Sequence, residues 1–247
     1  RVALVHDWLT GMRGGERVLE ELVKLYPSAD LYTLIHVPGA TSPTIESLRI
    51  HTSPLSRLPG IEKRYRALLP LYPWAIQRFR LEGYDLVIST HHAVAKAIPL
   101  APGTTHLCYC LTPMRYIWDQ ADAYLGTGSK RFLATPLVAL LRRFDVRTSG
   151  QNVTRFVAIS HAIADRIRRH YGREAQVVWP PVRVDRIQPD GRPPDDFYLL
   201  VGGFVPYKRE ALAIEAFRGL DRRLVIAGDG PGRERLQAGA PSNVEFL

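Results

Sequence analysis

The sequence is nearly free of cysteine. Cys108 and Cys110 are the two thiols in 247 residues, two apart inside the apolar run 107–111. A strand there points both to one face, and neighbours so placed form no unstrained disulfide. The pair also misses the C-x-x-C spacing of zinc and redox sites. A disulfide scaffold is therefore excluded, and two reduced core thiols in a cytoplasmic protein are expected. Long apolar runs are missing too. The greasiest stretch, 133–141, is interrupted by Thr135 and Pro136, well short of the ~18 residues a membrane span needs. Residues 2–5 are apolar but are cut off by His6 and Asp7, so no signal-peptide core forms; an opening Arg1 in place of Met reads as a trimmed start. Lysine is scarce, with five residues (24, 63, 96, 130 and 208) against 28 arginines.

What is present is a globular composition: 46% hydrophobic and 23% charged residues exclude disordered and collagen-like classes. The 247 residues allow one large domain or two small ones, burying about 75% of the unfolded surface. A net charge of +9 carried by arginine forks implies an anionic partner: nucleotide, nucleic acid or an anionic membrane surface.

Short apolar runs alternate with helix-like segments along the whole chain, the pattern of a parallel sheet wrapped by helices. Strands are expected over 2–5, 31–35, 84–89, 105–110, 156–159 and 175–178. Helices are expected over 16–25, over 131–147 from the spacing of Phe132, Leu133, Leu137, Leu140, Leu141 and Phe144, and over 161–170 behind a Ser160 cap. Residues 63–81 read as two helices broken at Pro70 and Pro73. Five prolines between 179 and 196 mark a linker. The rhythm then restarts, with strand 198–201, helix 209–217, strand 223–227, helix 233–238 and strand 244–246. The expected division is an acceptor-side domain 1–178, the linker 179–196 and a partial nucleotide-sugar domain 197–247, with a weak internal duplication.

Three glycine loops lie between strand and helix, where unpaired backbone amides hold anions. Gly14 and Gly15 open the first helix but miss the phosphate-loop spacing. Gly202 and Gly203 are followed by Lys208 and Arg209, two cations that oppose the helix dipole unless an anion sits between them and the amides. Gly228 and Gly230 form the third loop, with Pro231 spoiling any dinucleotide fingerprint. At the carboxyl ends of two other strands, His91 and His92 are candidates for a hydrogen bond to a substrate hydroxyl or for a capping role, and Thr112, Arg115, Tyr116 and Trp118 for a polar-aromatic site, the aromatics equally for interior packing. No metal set is spaced among the histidines. Arg64, Arg66, Arg78 and Arg80 flank Leu68, Leu69, Leu71, Tyr72, Trp74 and Phe79, a pattern that fits either a packed hairpin or contact with an anionic membrane.

The strings VHDWLTGMRGGER (5–17), STHHAVAK (89–96), TPMRYIW (112–118), FVAIS (156–160) and VPYKR (205–209) together resemble a family-4 retaining glycosyltransferase, in the mannosyltransferase-like branch of bacterial polysaccharide pathways. The resemblance covers essentially the whole chain. It implies a GT-B fold, two Rossmann-like domains facing a cleft, with acceptor mainly on the first and donor mainly on the second. It also implies metal-independent transfer of a hexose from a GDP- or UDP-linked sugar to a glycan or lipid-linked glycan hydroxyl, with no cofactor. Lys208 and Arg209 then stabilise the departing diphosphate. Gly14, Gly15, Gly202, Gly203, Gly228 and Gly230 bind the donor, and His92, Thr112, Arg115 and Ser160 touch acceptor or sugar. Two departures stand out: Gly203 occupies a place usually held by Arg, and Leu111 a place often held by His. The family's paired-glutamate motif would fall beyond Leu247, so the chain reads as C-terminally truncated, with poor donor binding and little turnover alone. A nicotinamide-dependent oxidoreductase would need a clean glycine fingerprint with an acid ~20 residues on, which neither glycine loop offers. A nucleic-acid-binding module fits the charge but shows no binding motif.

Overall fold

Helices that return the chain to the same edge of a sheet force successive strands to run parallel. The computed structural model describes residues 1–121, 129–184, 188, 191–205, 208–230 and 232–247, the side chains of 129–133 apart. Linker residues 185–187 and 189–190, Pro206, Tyr207, Pro231 and the side chains of Phe132 and Leu133 thus lie outside the described residues. The chain divides into two compact units, Arg1–Val182 and Arg183–Leu247.

In the first unit the elements are β1 (Val2–Leu9), α1 (Gly14–Leu25), β2 (Asp30–His36), α2 (Pro43–Glu46), β3 (Arg49–Thr52), α3 (Ile61–Arg64), α4 (Tyr72–Ile76), β4 (Leu86–His91), β5 (Thr105–Cys110), α5 (Ser129–Gln151), β6 (Arg155–Ala158), α6 (His161–Tyr171) and β7 (Ala175–Val177). The seven strands pair in parallel in the order β3-β2-β1-β4-β5-β6-β7. The order reverses between β1 and β4, and in sheets of this kind ligands bind outside the carboxyl ends of the strands at that switch point. Alternation along β1 sends Ala3 and Val5 into a core with Leu34, Tyr72, Ile76 and Val87, and Leu4 into a second with Leu19, Leu31 and Ile88, which Leu9 joins at the strand end, where the alternation breaks. Cys108 and Cys110 are buried free thiols packed with Phe156 and Ile167. Helix α6 starts where the Ser160 Oγ accepts from the Ile163 N–H at 3.3 Å and stops at Gly172, φ +63°.

Two features differ from the expectation. Residues 63–81 are not two helices but a chain of short turns: α3, a 3₁₀ stretch Tyr65–Leu71 containing Pro70, and α4, which tolerates Pro73 because it falls in the first turn, where no amide is needed. Strand β3 had no counterpart in the reading. It is a four-residue edge strand, half-exposed throughout, so it carries no buried alternation to betray it.

The second unit holds β8 (Tyr198–Val201), α7 (Glu210–Phe217), β9 (Leu224–Ala227), α8 (Arg233–Ala238) and β10 (Val244–Phe246). Its parallel sheet has the order β10-β9-β8, with a core of Phe204, Ile214, Leu224, Ile226 and Val244.

Candidate active site

The carboxyl end of the first unit's sheet is organised by a residue to which the sequence reading assigned no role. Asp7, near the end of β1, is fully buried. Its Oδ2 accepts from the N–H groups of His92 (2.8 Å) and Ala93 (2.9 Å), and its Oδ1 from those of Val94 and Ala95 (2.7 Å each). The His92 Nδ1 is 3.0 Å from Oδ2 but poorly aligned for a hydrogen bond, so that contact is chiefly Coulombic. Burial alone would raise the Asp7 pKa; the His92 ring and donated N–H bonds outweigh it and hold the carboxyl far below its ordinary range. One carboxylate thus fixes the turn after β4 and the backbone of His92. The His92 ring packs edge-on to Trp8, centroids 4.4 Å apart, and Trp8 leans on Tyr65 and Tyr72.

On the far side of β4, His91 is fully buried, and burial together with the Lys96 charge lowers its pKa to about 3, so it is neutral. Lys96 itself is buried against Asp145, Nζ to Oδ1 2.7 Å, with further bonds to the Asp145 carbonyl (2.7 Å) and Thr148 Oγ1 (3.1 Å) that fill all three ammonium donors. Trp118 Nε1 and Tyr171 OH complete the shell on Asp145 Oδ2, both at 2.8 Å. Trp118 thereby braces the loop after β5 against α5.

The remaining first-unit candidates scatter in role. Ser160 spends its hydroxyl on the α6 cap. Thr112 is buried, its Oγ1 donating to the Pro113 carbonyl at 2.9 Å. Arg115 lies over the Tyr116 ring, 5.5 Å from its centroid. At α1, the buried Glu16 folds back to accept the Arg13 N–H at 3.1 Å, with His6 Nε2 3.6 Å away. The favourable partial charge of this helix start therefore already faces a carboxylate, and a phosphate here meets like charge. Gly15 has a packing reason: a Cβ would come 3.0 Å from Leu111 Cδ1 and 3.4 Å from His6 Cε1.

In the second unit the candidates converge. The loops after β8 and β9 are pressed backbone to backbone: a Cβ on Gly228 would lie 1.8 Å from the Gly202 carbonyl oxygen, and one on Gly230 2.4 Å from that of Phe204. The Phe204 N–H donates to the Asp229 carbonyl at 2.8 Å, and Phe204 is rooted in the core. Lys208 curls back over the end of β8, its Nζ 3.6 Å from where a Gly202 Cβ would stand. Arg209 follows at φ +57°, a left-handed conformation costly for a side-chain-bearing residue, and starts α7. Glu210 repeats the Glu16 device, its Oε1 accepting from the Val205 N–H at 3.3 Å. Gly203 is exposed, with nothing closer to a built Cβ than the Asp229 carbonyl at 3.7 Å. A surface concavity lined by Asp196, Arg222, Arg223 and Asn243 lies at the opposite, amino ends of β9 and β10.

Parallel sheets of this order, with glycine loops and cations gathered at the carboxyl ends of the strands, define an α/β protein of the GT-B glycosyltransferase type. The fold is shared with the crystal structure of Anabaena Alr3699/HepE in complex with UDP and glucose, at TM-score 0.60 and 15% identity over 100% of this chain and 68% of that one. The same protein in complex with UDP gives TM-score 0.56 and 13% identity over 99% and 68%. The model of Glycosyltransferase Family 4 matches residues 12–186, and the chain belongs to that family. No curated protein sequence matches the chain.

Proposed function

We propose that this chain serves a retaining transfer of a hexose, mannose in the branch its motifs resemble, from a GDP- or UDP-linked sugar to a hydroxyl of a glycan or lipid-linked glycan. The observation that carries the donor side is the Lys208 ammonium folded over the end of β8, beside two glycine loops whose backbones touch. As the bond between the sugar's anomeric carbon and the diphosphate breaks, negative charge grows on the leaving phosphate. A preplaced ammonium there is worth more to the transition state than to the ground state. Arg209, in its left-handed conformation, adds the second cation, and Gly202, Gly203, Gly228 and Gly230 let main chain approach the phosphates. The similar fold that holds UDP supports a nucleoside diphosphate as the occupant. On the acceptor side, His92, its ring braced by the buried Trp8, offers a polar group of the kind that meets sugar hydroxyls, with Arg115 and Thr112 nearby in sequence at the end of β5. Gly14 and Gly15 take a lesser part: their helix start faces Glu16 as the α7 start faces Glu210, but without the adjacent cations Lys208 and Arg209 that α7 adds.

The test is calorimetric titration of the chain with UDP, GDP and ADP. Lys208→Gln is expected to weaken the nucleotide that binds by about tenfold or more, the scale of one charge-assisted phosphate contact, while Lys24→Gln, on the outside of α1, leaves affinity unchanged. Equal affinity in the Lys208→Gln and parent proteins would remove Lys208 from the donor site.

A further inference from the structure

Residues 61–81 are apolar on two faces, and the fold uses only one. Tyr65, Tyr72, Ile76 and Phe79 are buried in the core of the first unit. The outer face carries Leu71 and Trp74, 46% and 48% exposed, with Ala67 and Pro70 exposed beside them. Pro70 follows Ala67 by three residues in the 3₁₀ stretch, and Trp74 and Arg78 follow Leu71 by three and seven across α4, so each set falls on one side of its turn. Arg78 stacks on the Trp74 ring, 4.7 Å from guanidinium to centroid. Lys63, Arg64, Arg66 and Arg80 are exposed on the same segment, and Glu62 is the one acid within 61–81. Scattered surface apolar groups need no explanation. A Leu and Trp pair with five cations on a segment otherwise anchored in a core does.

We infer that this face docks on an anionic lipid bilayer, with Leu71 and Trp74 entering the boundary between headgroups and acyl chains and the five cations facing anionic headgroups. Trp favours that boundary because its ring is amphipathic, and Lys and Arg near the surface are drawn to its negative potential. Single-stranded nucleic acid would engage the cations and the indole but leave Leu71 without a partner. Among the described residues no helix is long and apolar enough to cross a membrane. The inference stands apart from the donor site, since binding is read without any sugar nucleotide.

Co-sedimentation of the chain with phosphatidylcholine vesicles, with and without phosphatidylglycerol, at low and high salt, tests it. Binding is expected to the anionic vesicles alone and to fall with salt. Arg78→Gln and Arg80→Gln are each expected to weaken it about fivefold. Leu71→Ser with Trp74→Ser is expected to weaken it tenfold or more at low salt, with circular dichroism and melting temperature as the check that both half-exposed sites leave the fold intact; Trp74→Ala alone gives the same direction. Failure to sediment with anionic vesicles at low salt overturns the proposal, as does binding that survives the Leu71 and Trp74 changes. Displacement from vesicles by single-stranded RNA that itself binds the Leu71 and Trp74 variants undiminished would reassign the face to nucleic acid.

Discussion

Replacing Asp7 with Asn keeps shape and size while removing one charge, and it tests whether a single carboxylate holds the turn that carries His92. Four backbone N–H groups point at its two oxygens at 2.7–2.9 Å. An amide oxygen can serve two of them, but the amide nitrogen brings its own hydrogens against the other two. Each buried donor left unsatisfied costs about 1–3 kcal/mol, so the substitution is expected to cost about 4 kcal/mol. Against a typical stability of ~5–15 kcal/mol that is a large share. For a unit of this size it corresponds to a drop in melting temperature on the order of 10 °C. Urea and thermal unfolding followed by circular dichroism measure it. The pH dependence adds a second arm. The folded pKa of Asp7 lies far below its unfolded value, so its contribution is complete above the unfolded pKa of about 4 and is lost as pH falls beneath it. The gap between the parent protein and Asp7→Asn should therefore narrow on acidification. A loss under about 1 kcal/mol at neutral pH, or a gap that widens in acid, would refute the reasoning.

Gly203 stands where the resembled family usually has Arg, and the space around it is open, so Gly203→Arg should fold normally and tighten nucleoside diphosphate binding about tenfold; unchanged or weaker affinity in calorimetry would count against the phosphate site. Asp145→Ala strands the buried Lys96 ammonium and is expected to destabilise the first unit by about 3–5 kcal/mol, whereas Asp145→Ala with Lys96→Met should recover a good part of it; the comparison is a double-mutant cycle in urea. Asp30, bonded by Tyr84 and Arg1, has its pKa lowered to about 2. Its contribution, roughly 1–2 kcal/mol, is present above the unfolded pKa near 4 and vanishes as pH falls through 2, and Asp30→Asn should flatten the acid limb of the stability curve.

The alternation of apolar runs, glycine turns and helices made the parallel sheets legible, because strand and helix periods are local properties of the chain. The second-unit candidates were legible for a related reason: glycine loops followed by paired cations state their electrostatic conflict within eight residues. What escaped was non-local. Asp7 and the turn it caps are 85 to 88 residues apart, and Lys96 meets Asp145 across 49; no spacing rule reports such partners. The signal available was that a charged group inside an apolar strand must find one. Residues 63–81 depart from two broken helices because Pro70 sits inside a 3₁₀ stretch and Pro73 in the first turn of α4, where no amide is needed.

The contact between Gly202 and Gly228, and between Phe204 and Gly230, has a consequence for redesign. Main chain meets main chain there, so neither Gly228 nor Gly230 can acquire a side chain that discriminates among sugars or bases without prising the loops apart. Libraries aimed at the proposed donor site should hold these glycines constant and diversify Gly203 and Asp229, both exposed.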